Sequence, residues 1–183
     1  MSARKTPKST IDVTVATRTW TRKLRTAAAV CRRAANAALA VVGPKRAVEV
    51  SILLTSDAAL RKLNAVFRGK DKPTNVLSFP AESDMERRTA PKGRPRALGD
   101  IAIALGVLTR EAKTEGKTLT AHLSHLVVHG VLHLLGYDHE RDEDALTMER
   151  LEKKILARLG ISDPYAVPPV KRPHEQTQVS KIK

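Results

Sequence analysis

Cysteine is almost absent. Cys31 stands alone, which excludes an internal disulfide and fits a reducing cytoplasm. It lies in the alanine-rich run Ala27–Val42 at helical spacing, where a lone thiol is expected to be a small buried core residue. Aromatics make up only 3% of the chain, so a core has to be assembled from Leu, Val, Ile and Ala. Long apolar runs are missing too: Ala27–Val42 is the most apolar long segment, and it is too short for a bilayer and interrupted by Arg32 and Arg33. No apolar stretch follows the early Arg and Lys, so no secretory signal is expected and the chain reads as cytoplasmic. Acids are lacking at the start, where Asp12 is the only one between Met1 and Arg46.

Positive charge fills that gap. The same stretch holds Arg4, Lys5, Lys8, Arg18, Arg22, Lys23, Arg25, Arg32, Arg33, Lys45 and Arg46, and the whole chain has 33 Lys and Arg against 19 Asp and Glu, a net +14. Such a field favours a polyanion, and nucleic acid is the commonest one in a cytoplasm. A basic balance serving only solubility is the bland alternative.

The 183 residues suffice for one domain. Residues 1–10 read as a disordered basic arm, 11–163 as a single folded domain, and 164–183 as a basic, proline-rich, disordered tail. Alternation over Ile11–Thr17 predicts a half-buried strand. From about Thr21 a helical stripe runs through Leu24, Ala27, Cys31, Ala34, Ala35, Ala38 and Val42, and Gly43-Pro44 stops it. Val48–Leu54 predicts a second strand. Ser56 is placed to cap a helix through about Phe67, with Leu60, Leu63 and Val66 or Phe67 turned inward. A polar loop over Arg68–Thr74, a strand over Asn75–Pro80 and a charged surface insertion over Glu82–Arg96 follow. A fourth strand is expected over Leu98–Leu105, and helices over Gly106–Glu115, Thr120–Leu135 and Asp142–Leu159. The last is amphipathic through Leu146, Met148 or Glu149, Leu151, Ile155 and Leu159, whereas Thr120–Leu135 is apolar on most sides, like a buried central helix. The class is α+β: a roughly four-stranded mixed sheet packed on helices.

Five of the six histidines fall between His122 and His139. His129 and His133, four apart on a helix, project from one face about 5–6 Å apart at Cβ and can share an ion. Gly136 lets the backbone turn left-handed, so that His139 returns as a third ligand. Three neutral imidazoles leave the fourth tetrahedral position of zinc open, as a catalytic site requires. His122 and His125 are expected to be structural, His125 either supporting a ligand or lining the cleft. The spacing H-x-x-x-H-x-x-G-x-x-H is that of the metzincin proteases, which makes the central helix metzincin-like. Gly130 stands where those enzymes carry their glutamate base, whose loss removes help worth about 10²–10⁴-fold.

Three segments extend the pattern: Arg68-Gly-Lys-Asp-Lys-Pro-Thr-Asn-Val-Leu-Ser-Phe-Pro80, Leu98-Gly-Asp-Ile101, and Val127-Val-His-Gly-Val-Leu-His-Leu-Leu-Gly-Tyr-Asp-His139, followed by Met148, Glu149 and Glu152. In this order they resemble the bacterial YbeY-type endoribonucleases, from about Val48 to Tyr165. The resemblance implies a single-strand-specific endoribonuclease of ribosomal RNA maturation, including the 3′ end of 16S rRNA, and of ribosome quality control. It implies one Zn2+ per chain on His129, His133 and His139, with Arg68 as the phosphate-contacting catalytic residue. Its partners would be single-stranded RNA and the small ribosomal subunit, with cooperating ribonucleases or ribosomal proteins. The basic ends and the Arg87–Arg96 insertion lie outside the family pattern.

Arg68 also makes chemical sense by itself, because a guanidinium grips phosphate in two places while negative charge builds on it. Asp100 and Asp138 are each placed either to orient a ligating imidazole or to lie exposed. Thr74, Asn75 and Ser78 are read as organising loop and strand. Two other classes fit parts of the pattern: a metalloprotease-like hydrolase, and a non-catalytic small-subunit assembly factor with structural zinc.

Overall fold

A computed structural model describes residues 8–81, 95–139 and 141–166. Four strands, β1 (Thr10–Val15), β2 (Val48–Thr55), β3 (Val76–Pro80) and β4 (Arg96–Ala104), form one sheet in the order β1-β2-β4-β3. β1, β2 and β4 run parallel and β3 antiparallel, so the sheet is mixed and the class α+β, as expected. Strict alternation sets the faces: Val48, Val50, Ile52 and Leu54 are buried while Glu49 and Ser51 point to solvent.

The helices among the described residues are α1 (Arg18–Lys23), α2 (Ala27–Val42), α3 (Asp57–Arg68), α4 (Leu105–Thr114), α5 (Leu119–Leu134) and α6 (Asp142–Arg158). The main core lies between the sheet and α2, α5 and α6, and α5 is buried on nearly every side. A smaller cluster of Leu60, Leu77, Ala102 and Ala104 sits under α3. Cys31 is fully buried, as its setting predicts, and burial pushes its thiol up to about 12.

The expected helix from Thr21 to Val42 is two helices. Leu24 is extended at φ −147° and ψ 90°, which turns α1 so that Trp20 is buried and its Nε1 donates to the Thr55 carbonyl at 2.8 Å. A stripe reading cannot see this bend, because the residues on both sides of it still face the core. Nor do Val66 and Phe67 turn inward: they are 77% and 63% exposed. Leu60 is buried as expected, and the other buried place on that helix belongs to Asn64, whose Nδ2 donates to the Lys72 carbonyl and ties down the following loop. Phe67 lies edge-on to Phe79 instead. Arg68 is the last residue of α3, which Gly69 ends in the left-handed conformation.

One glycine in the sheet has no substitute. Pairing steps from Glu49–Ala97 to Val50–Gly99, leaving Leu98 as an extra residue. Gly99 takes up the irregularity at φ 133°, and any side chain there would collide with the Phe79 carbonyl. Residues 1–7, 82–94 and 167–183, which hold most of the expected arm, insertion and tail, lie outside the described residues. Thr10 belongs to β1, Arg96 opens β4, and the Pro164 carbonyl accepts from Lys117 Nζ at 2.9 Å. No described helix is long and apolar enough to cross a membrane.

Candidate metal centre

Helix α5 presents the histidines. Thr118 caps its start, the hydroxyl accepting from Ala121 N–H at 3.1 Å. At its end the N–H of Tyr137 bonds the Leu132 carbonyl and that of Gly136 the His133 carbonyl, with Gly136 at φ 94°. This is the Schellman arrangement. It reverses the chain within three residues and returns His139 to the helix face, as the glycine predicts. The His139 N–H then donates to Asp138 Oδ1 at 2.6 Å, fixing the turn.

His129, His133 and His139 each offer one ring nitrogen to a common point, all within 4.8 Å of one another. The His129 and His133 Nε2 atoms are 3.0 Å apart. Two nitrogens bound to one tetrahedral zinc at about 2.05 Å stand roughly 3.3 Å apart, so the pair has nearly that spacing. The chemistry of the donors agrees. His129 Nδ1 lies 2.8 Å from the Glu152 carboxylate and donates to it, leaving Nε2 with its lone pair. His133 turns its own Nε2 to the same place. The lone pair of His129 thus points to where a cation fits among the three rings. Burial, and then His129 and His139, push the His133 imidazole below its usual range, which keeps it neutral and ready to ligate.

Glu152 has no exposed surface. Burial alone would raise its carboxyl, but hydrogen bonds from His125, His129 and Tyr165 outweigh this and hold it at about 2. His125 Nε2 is 3.1 Å from Oε2, and the Tyr165 hydroxyl donates to the same oxygen. His122 belongs to a neighbouring set: its Nε2 meets Glu111 at 2.8 Å, and Glu111 also accepts from Asn75 Nδ2 at 3.0 Å. Asn75 Oδ1 takes the Val76 N–H at 2.7 Å, so its side chain does organise loop and strand.

A cleft of about 610 Å³ opens at the imidazoles, lined also by Arg68, Thr74, Asn75, Ser78 and Tyr137. The structure therefore brings Arg68 and the three histidines to one cavity, Arg68 from a helix end rather than a loop. Asp100 and Asp138 touch no imidazole through a hydrogen bond among the described residues. Asp100 is exposed and lines a groove with Phe67 and Phe79, and Asp138 holds main chain. The carboxylate that does meet His129 is Glu152, to which sequence reasoning assigns no role. A signal for it exists, since it falls on the row Met148–Glu152–Ile155 of α6, an acid on an otherwise apolar face.

Position 130 also bears on chemistry. A Cβ at Gly130 would lie 2.9 Å from Ile101 Cδ1 and 3.1 Å from its Cγ2, so this side of α5 packs on β4. A glutamate there would be driven into the sheet, and the protease base is missing in space as well as in sequence.

Comparison with known proteins agrees with these features. The family model described as Endoribonuclease YbeY matches residues 13–160. A protein of Rhodopseudomonas palustris named Endoribonuclease YbeY is 52% identical over 155 residues, 85% of this chain and 80% of its own. One of Chelativorans sp. with the same name is 52% identical over 160 residues, 87% of this chain and 95% of its own. The solution structure of a Thermotoga maritima protein has the same fold, with a TM-score of 0.50 at 23% identity, covering 89% of this chain and all of that one. A match over most of the length, with relatives at this identity, means that the chain belongs to the Endoribonuclease YbeY family.

Proposed function

We propose that this protein is a zinc-dependent, single-strand-specific endoribonuclease of ribosomal RNA maturation, acting at the 3′ end of 16S rRNA and in ribosome quality control. One observation carries the reading: three imidazole nitrogens converge within 4.8 Å at a cleft that Arg68 also lines, on a chain of net charge +14. His129, His133 and His139 are the ligands, one ion per chain. A bound zinc ion supplies Lewis acidity there. The chain's own part is to hold the phosphate. Arg68 reaches it from the end of α3 with a planar, two-pronged donor that matches the developing charge. The basic surface gathers RNA, and a single strand bends into the cleft more readily than a duplex. The small ribosomal subunit is the natural partner, and the cytoplasm the natural compartment.

The test is cleavage of a single-stranded RNA with and without a chelator, with zinc added back and the product ends identified. Cleavage abolished by chelation and restored by zinc is expected. Chelator-sensitive casein cleavage would favour the protease class instead, and binding to the small subunit without metal-dependent cleavage would favour an assembly factor.

A further inference from the structure

Glu152 is fully buried on the apolar face of α6 and lies 23 residues along the chain from the imidazole it touches. A buried charged group of this kind is weak support for a fold, since a packed apolar residue in its place is often neutral or stabilising. Its surroundings point to another role. An ionised carboxylate only accepts hydrogen bonds, so each of its three neighbours must donate. His129 does so through Nδ1 at 2.8 Å and Tyr165 through its hydroxyl. His125 does so through Nε2, because its Nδ1 is buried with no partner among the described residues and a proton left there would be an unsatisfied donor. Tyr165 is held in turn, with His125 edge-on to its ring and Lys153 Nζ 5.4 Å from the ring centre.

We propose that Glu152 is a positioning residue of the metal centre: its carboxylate keeps the His129 proton on Nδ1 and turns Nε2 toward the ion, while His125 and Tyr165 hold the carboxylate in place. The segment around Tyr165 thereby becomes part of the centre's support. Carboxylates that orient ligating imidazoles typically change metal affinity about 10–100-fold when removed. The proposal rests on His129, His133 and His139 being the ligand set.

The experiment uses the full chain loaded with zinc, with 15N-labelled histidine, in the wild type and in Glu152→Gln. Imidazole spectra should show His129 bound through Nε2, with an exchange-protected Nδ1 proton shifted downfield by the carboxylate. In Glu152→Gln that proton should lose its shift and protection. Zinc affinity, read by competition with a chromophoric chelator, should fall about 10–100-fold while circular dichroism stays unchanged. Tyr165→Phe keeps the ring and removes one donor, and should weaken zinc several-fold. An unchanged Nδ1 proton and affinity in Glu152→Gln would overturn the proposal. Should that variant not fold, the wild-type spectrum decides, since His129 bound through Nδ1 overturns the proposal while leaving the ligand set intact. A wild type that takes up no zinc overturns both.

Discussion

The Nε2 atoms of His129 and His133 face each other at 3.0 Å, and the opposite nitrogen of His129 lies 2.8 Å from the Glu152 carboxylate. With a ring nitrogen of His139 they lie within 4.8 Å of one another, the spacing of ligands that share one ion. The purified protein should therefore carry close to one zinc per chain, measurable by elemental analysis. His133→Ala leaves two ligands and should empty the site under dialysis that the wild type survives. Full occupancy in that variant would remove His133 from the ligand set.

Restoring the protease glutamate should damage the fold rather than create a protease. In Gly130→Glu the new side chain starts 2.9 Å from Ile101 Cδ1, on the buried side of α5. Overpacking together with an unpaired buried carboxylate should cost roughly 3 kcal/mol or more. Thermal unfolding reads the loss, and casein cleavage should stay at background. A stable variant that cleaves casein would show that position 130 reaches the cleft after all.

What the sequence reveals about this centre is what is local in it. His129 and His133 are one helical turn apart, and Gly136 announces the reversal that returns His139, so spacing alone assembles the triad. Glu152 reaches His129 only through the packing of α6 on α5, and no local pattern shows which carboxylate will arrive. Asp138 is next to a ligand in sequence, yet among the described residues neither it nor Asp100 hydrogen-bonds an imidazole. The same holds for the fold. Alternation shows the strands, but the bend at Leu24 is imposed by the burial of Trp20 under Thr55, a partner 35 residues away in sequence. The stripe of α3 holds at Leu60 and Leu63 and fails at its end, where Asn64, a polar residue, takes the inward position by bonding Lys72.

Cys31 should be chemically silent in the folded protein. Burial raises its thiol from 9.0 to about 12, so the reactive thiolate is absent at pH 8. A thiol reagent at that pH should label it only in denaturant. The sign for stability follows: the raised folded value contributes stability that is complete below pH 9 and is lost as pH rises toward 12. Rapid labelling of the native protein would contradict the burial.

The basic surface should govern RNA affinity without governing sequence choice. Arg18, Arg22 and Arg25 are exposed and line one shallow depression, and α1 contains no acid. Replacing all three with Ala should reduce the log–log salt slope of single-stranded RNA binding by about 0.7 for each phosphate that is no longer neutralised. Deleting residues 1–7 and 167–183, which spares β1 and Tyr165, should lower it further. Unchanged slopes would mean that RNA approaches from elsewhere.

Arg68 separates chemistry from architecture. It ends α3, is exposed, and lines the cleft with the three imidazoles. A cation in the last helical turn stabilises the helix by about 0.3–1 kcal/mol, so Arg68→Ala should cost no more than that and leave zinc content unchanged. The reaction should suffer far more. A charge-assisted donor aimed at developing negative charge is worth roughly 10²–10³ in rate at comparable sites. Arg68→Lys keeps the charge and the helix-end interaction but not the two-pronged fit to phosphate, so it should recover only part of the rate. Single-turnover cleavage of one single-stranded RNA by the three proteins at equal zinc loading measures this. Equal rates would leave the metal centre to act without Arg68. A loss of zinc in Arg68→Ala would make the residue part of the scaffold, and full rescue by Lys would reduce its role to charge alone.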